Sequence, residues 1–178
     1  PFTIRPSHIP ELVMEGESAR AYVARLASAK AAAIVGAVGE GVLAADTTVA
    51  ILIDGRERIL EKPQDARDAK AMLQLLSGRT HIVYTGISFC WEGQEWRHVE
   101  QTSVEFAEMK EHEVIAYVNS HEPLDKAGAY GIQGLASKFI SRIDGCFYNV
   151  VGLPIHQVYK IFNAAGVITR DESPLLSS

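Results

Sequence analysis

Positive charge is in short supply: 17 Lys and Arg face 22 Asp and Glu, for a formal net charge of -5. A field of that sign argues against bulk electrostatic attraction to a nucleic acid polymer, so a polyanionic ligand must be met by local lysines, arginines or a metal. Cysteine is scarcer still. Cys90 and Cys146 each lie in an apolar or aromatic stretch without metal-type spacing, and read as buried free thiols of a reducing cytosol. The histidines at 8, 81, 98, 112, 121 and 156 show no paired ligand spacing and no nucleophile-base arrangement, which leaves zinc unsupported. No apolar run approaches the ~20 residues that span a bilayer, and no signal-peptide pattern opens the chain. The expectation is a cytoplasmic protein with no membrane partner. A Walker-type loop, a dinucleotide fingerprint, repeats and low-complexity tracts are missing as well.

What is present suits one substantial core: 178 residues, 47% hydrophobic and 22% charged, read as a single domain over 1–178. Phe2 to Pro6 looks like a short strand. Glu17-Ser18 opens an alanine-rich helix through Val38, with Leu26, Ala29, Ala33 and Ile34 as its apolar stripe. Gly41 to Ile53 reads as a central strand buried on both faces, followed by the hairpin dipeptide Asp54-Gly55 and a return strand to Leu60. Asp65 caps a helix that Ser77-Gly78 ends. Strands over His81–Trp91 and Glu95–Phe106, a helix over Glu111–Ser120, strands near Lys138–Ile143 and Cys146–Val151, and a helix over Ile155–Ala165 behind Pro154 complete the pattern. Thr169 to Ser178 reads as a polar, frayed tail. Interleaved helices and strands together with hairpin signals predict an α/β fold built on a mixed sheet with flanking helices.

Chemistry concentrates at few places. The run from Glu122 to Gly134 holds glycines at 128, 131 and 134 beside Asp125, Lys126 and Gln133, and reads as a functional loop outside the core, with a long turn as the alternative. Asp46 interrupts an apolar strand, where a carboxylate is costly unless bonded, paired or bound to metal; a bulge with Asp46 on local amides is the other reading. Lys30 shares a helix face with Leu26 and Ile34, and by default such a lysine snorkels to solvent. Lys62, before Pro63, reads by default as a loop lysine, and Glu11 as a surface acid. Together the acids Glu11, Asp46 and Asp125 and the lysines Lys30, Lys62 and Lys126 fit phosphoryl chemistry with a hard divalent cation.

Ala45-Asp46-Thr47, Leu60-Glu61-Lys62-Pro63, Leu76-Ser77-Gly78-Arg79-Thr80-His81, the 122 to 134 run and Val151-Gly152-Leu153-Pro154, in that order and spacing, resemble the Maf family of nucleoside triphosphate pyrophosphatases across nearly the whole chain. The resemblance implies an elongated two-lobed α/β fold around a central nucleotide cleft, and metal-dependent hydrolysis of nucleoside triphosphates to monophosphates and pyrophosphate. Ala-Asp-Thr and Lys-Ala-Gly-Ala-Tyr-Gly-Ile-Gln-Gly are similar to the branch preferring dTTP and UTP, with modified pyrimidine triphosphates as an extension. By the same resemblance Asp46 is the catalytic proton acceptor, and Thr47 and Gln133 set nucleotide choice. Lys30, Lys62 and Lys126 then bind phosphate, while Glu11, Asp46 and Asp125 hold Mg2+ or Mn2+. A homodimer is the family-based expectation. The alternatives are a non-catalytic nucleotide-binding or septum-formation regulator, and a pyrophosphatase of other base preference, such as 7-methyl-GTP. The family's Ser-x-Ser-Pro-Arg-Arg phosphate loop has no counterpart in this sequence, and a start in a strand-like run without methionine is expected of a chain that begins inside its natural domain.

Overall fold

The computed structural model describes residues 2–34 and 39–167. Local signals seed its elements. The Ser18 hydroxyl accepts the Ala21 amide at 3.2 Å and opens α1 (Ala19–Ala32); Asp65 does the same for α2 (Ala66–Leu76), accepting the Asp68 amide at 2.8 Å. β1 (Val42–Ile53) turns into β2 (Arg56–Leu60) through Asp54 and Gly55, whose φ angles of 49° and 76° suit a two-residue hairpin. β3 (Thr80–Trp91) and β4 (Gln94–Phe106) are joined in the same way through Glu92 and Gly93. Then come α3 (Glu111–Asn119), three short 3-10 turns, β5 (Ile140–Asp144), α4 (Phe147–Val151) and α5 (Ile155–Ala164).

The strands form one sheet in the order β2-β1-β3-β4-β5. Every pairing is antiparallel, so the α/β class with flanking helices is borne out while the expected mixed pairing is not. Neighbouring strands here are joined by hairpins or by excursions that return in the opposite direction. Alternation along β1 divides its side chains between two layers. Asp46 points with Gly86 toward α1, whereas Val49, Val83 and Val104 point into the main core beneath α2, α3 and the 3-10 turns.

Several sequence expectations change. Residues 2–6 form no strand: Phe2 and Ile4 are exposed, and Pro6 has no amide to give a ladder. The buried stripe of α1 is Ala19, Tyr22, Val23, Leu26, Ala27 and Ala31, rotated away from Ala29 and Ala33. The extension of that helix to Val38 and the tail from Thr169 fall outside the described residues. β1 is a central strand only in its second half, because β2 pairs with Val49–Ile53 alone and leaves Val42–Thr48 unpaired on that side. The expected strand at Cys146–Val151 is the helix α4. Its Asn149 is fully buried, giving amide protons to the Val83 carbonyl (3.0 Å) and the Thr102 hydroxyl (2.9 Å), so docking onto β3 and β4 overrides the strand preference of Val150 and Val151.

Candidate active site

Where β2 stops short, the free edge of β1 opens into a cleft of about 790 Å³, large enough for a small-molecule ligand. Ala45 to Val49 line it, together with Glu11, residues of α1, Glu61 and Lys62 just after β2, the 122–134 segment and Val150 to Gly152 at the end of α4. Asp46 is buried there. Its Oδ1 accepts Lys30 Nζ at 2.6 Å, and the same nitrogen lies 2.6 Å from Glu11 Oε1. Lys30 extends the buried stripe of α1 by one turn beyond Leu26 and Ala27, and so turns into the cleft between two carboxylates instead of snorkelling. Burial pushes the Asp46 carboxyl above the ordinary carboxylate range, against the pull of Lys30 and Lys62. For Lys30 the balance runs the other way: burial disfavours its charge, but bonds to Asp46 and Glu11 hold the ammonium above its ordinary range.

Two further groups, Tyr22 and Glu61, which no local pattern in the sequence marks, frame this triad. Tyr22 donates its hydroxyl to Glu61 Oε1 at 2.8 Å, with the Glu11 carbonyl 3.2 Å away, tying the irregular Glu11 segment to the end of β2. No spacing rule relates residues 11, 22 and 61.

Thr47 points to the other face of β1. Its hydroxyl lies 2.8 Å from that of Thr85 and 3.4 Å from the Gly152 carbonyl, while Thr85 gives its only proton to the Asn149 carbonyl at 3.0 Å. The Thr47 proton is thus committed to protein, and what it offers a ligand is acceptor capacity.

Gln133, Lys62 and Lys126 also line the cleft. Lys126 Nζ contacts Asp125 Oδ1 at 2.6 Å and the Glu122 carbonyl at 3.0 Å. Asp125 is exposed and does not join Glu11 and Asp46; no cluster of three or more His, Cys, Asp or Glu side chains able to hold a metal occurs among the described residues. The 122–134 run is also more than a loop. Ala129 and Tyr130 belong to the main core, and Gly128, at φ 67°, packs where a Cβ would stand 2.8 Å from Val49 Cγ2. The glycines at 131 and 134 do not adopt positive φ; they make room for the Lys126 and Glu122 side chains. Glu122 and Tyr117, both unmarked in the sequence, prove to organise this wall.

Fold and site together define an α/β protein with a polar, lysine-bearing cleft at the half-open edge of an antiparallel sheet. The family described as Maf-like protein matches residues 1–165, and the chain belongs to the Maf family. It is 42% identical over 168 residues to the dTTP/UTP pyrophosphatase of Koribacter versatilis, covering 94% of this chain and 85% of that protein. Over 167 residues it is 46% identical to the protein of the same name from Myxococcus xanthus (93% and 83% covered) and 44% identical to that of Exiguobacterium sibiricum (94% and 83% covered). Among the described residues no helix is long and apolar enough to cross a membrane.

Proposed function

We propose that this protein is a nucleoside triphosphate pyrophosphatase that hydrolyses dTTP and UTP to the monophosphate and pyrophosphate. The observation that carries the reading is Asp46, a buried carboxylate with raised proton affinity in a nucleotide-sized cleft that also presents three lysines. Such a group suits a general base that takes a proton from the water attacking the α-phosphorus. Lys62 and Lys126 are available to offset charge on the triphosphate and on the departing pyrophosphate, and Lys30 holds Asp46 in place. Gln133 brings an amide donor and an acceptor, and Thr47 an acceptor, which complement the O4 and N3-H edge shared by uracil and thymine.

The donor set also fits a hard cation. Glu11 and Asp46 converge on the Lys30 ammonium, so an ion shared by their oxygens would take over the place that this ammonium holds between them. Two carboxylates suit magnesium or manganese that takes its remaining ligands from phosphate and water. When bound, the ion would neutralise phosphate charge; Asp125, paired with Lys126, stands apart from it.

The test is pyrophosphate release across a panel of triphosphates with wild type and Asp46→Asn. Preference for dTTP and UTP, with a loss of roughly a hundred- to ten-thousandfold in the variant, is expected. Equal rates on all bases sink the specificity, and an unimpaired Asp46→Asn sinks the assigned base.

A further inference from the structure

Glu122 lines the cleft as an acid to which the chemistry above gives no role. Both of its carboxylate oxygens are engaged. Oε1 accepts the Tyr117 hydroxyl at 2.9 Å, and Oε2 accepts the Leu135 amide at 3.0 Å. The Tyr117 oxygen in turn accepts the Gly131 amide at 3.2 Å. A single chain of bonds therefore runs from Gly131 through Tyr117 and Glu122 to Leu135, and grips both ends of the segment that carries Gln133.

The grip is anchored in the core. Tyr117 is 3% exposed, and its ring meets Phe139 edge-on with centroids 6.1 Å apart, so its hydroxyl has little freedom. Burial and the neighbouring carboxylate keep that hydroxyl protonated as a donor. Gly134 lies so close that a Cβ there would stand 2.1 Å from Glu122 Oε1. The main-chain carbonyl of Glu122 also accepts Lys126 Nζ at 3.0 Å. The carboxylate of Glu122 thus holds the backbone on both sides of Gln133, and its main-chain carbonyl meets one of the lysines assigned to phosphate.

We propose that Glu122, acting through Tyr117, is a positioning residue that sets the place of the Gln133 segment and so determines base selection, without itself taking part in the hydrolytic step. The inference rests on the reading of Gln133 as a base-recognising group. Charge-assisted bonds are about twice as strong as neutral ones, so an isosteric amide at position 122 weakens the grip without emptying the space. Glutamine has one acceptor oxygen where the carboxylate has two, so it cannot accept the Tyr117 hydroxyl and the Leu135 amide on separate oxygens, and the one group its amide protons could reach, the Tyr117 oxygen, already accepts the Gly131 amide.

Two measurements on wild type, Glu122→Gln and Tyr117→Phe test this. Amide hydrogen exchange of the ligand-free protein is expected to quicken about ten- to a hundredfold at Gly131 and Leu135 in Glu122→Gln, and at Gly131 in Tyr117→Phe. In pyrophosphate release the loss is expected in KM for dTTP and UTP, by about tenfold, and in discrimination against CTP, with kcat far less affected than in Asp46→Asn. Unchanged exchange at these amides overturns the proposal, as does a collapse of kcat with KM and base preference intact. Should Glu122→Gln fail to fold, Tyr117→Phe, which removes one hydroxyl, decides the question on the same criteria. Exchange is read without nucleotide. A wild type that releases no pyrophosphate therefore refutes the proposed activity, while the grip on the 131–135 segment is still judged by its own measurement.

Discussion

Asp46 stands between two opposed influences. Burial raises its proton affinity, and the bond from Lys30, helped by the charge of Lys62, lowers it. A general base works only when deprotonated, so kcat/KM should rise with pH through the Asp46 titration, at a position above that of an ordinary carboxylate. Lys30→Met removes the largest opposing influence and leaves the burial. The acid limb of the variant should therefore lie at higher pH than that of wild type, measured with the same triphosphate so that substrate ionisation cancels. A limb that stays in place or moves to lower pH would contradict the assignment of Asp46 as base. The position of Asp46 was legible in the sequence because a carboxylate within Val42–Leu52 is out of keeping with its neighbours. Its partners were not, since Glu11 comes from an irregular segment and Lys30 from a helix whose orientation only the packed sheet decides. Glu122 and Tyr117 were hidden for the same reason: their bonds reach back across a chain reversal that no periodicity marks.

The α1 helix brings Lys30 to Asp46 because its backbone lies directly on the sheet. Gly86 pairs in register with Asp46, and a Cβ at Gly86 would stand 2.2 Å from the carbonyl oxygen of Val23. That oxygen belongs to helix backbone and cannot swing aside, so Gly86→Ala must push α1 away from β3. A cost of about 1–3 kcal/mol is expected from such overpacking, visible as a lower urea midpoint. Pyrophosphate release should fall further than stability alone accounts for, because Lys30, two turns beyond Val23, moves with the helix. A Gly86→Ala protein with wild-type midpoint and rate would show that the close approach matters to neither. The elements legible in the sequence are those with local chemical causes: Asp54-Gly55 at a hairpin, Ser18 and Asp65 at helix starts. The misread ones depend on tertiary partners. α4 carries β-branched residues yet is helical because Asn149 finds the Val83 carbonyl and Thr102 only in that form, and the sheet is antiparallel because of how the excursions between strands return, which residue patterns do not encode.

At the scale of the whole molecule, a net charge of -5 opposes a polyanionic ligand, and the cleft lysines offset it locally. The same overall balance bears on stability in acid. His81 is buried beneath the sheet with Nε2 2.9 Å from the Tyr130 hydroxyl, and Nδ1 has no partner among the described residues. Burial lowers its pKa from 6.5 to about 4. The unfolded chain therefore takes up this proton at higher pH than the native one, and the resulting stabilisation is complete above the unfolded value and lost as pH falls toward the folded one. Glu95, held down to about 2 by Arg97 and then by Ser28 and Ser88 against its burial, adds a second loss below its ordinary value of 4.5. Asp46 has the opposite sign, since its raised pKa favours the native state in acid. Destabilisation should therefore begin with the histidine, before the carboxylates titrate. Urea unfolding between about pH 7 and about pH 5 should show wild type losing about 2 kcal/mol from this one group. His81→Gln lacks the titration and should show a flatter slope over that interval, even where its stability at neutral pH is lower. An equal slope in the two proteins would mean that the acid sensitivity of the fold originates elsewhere than at His81.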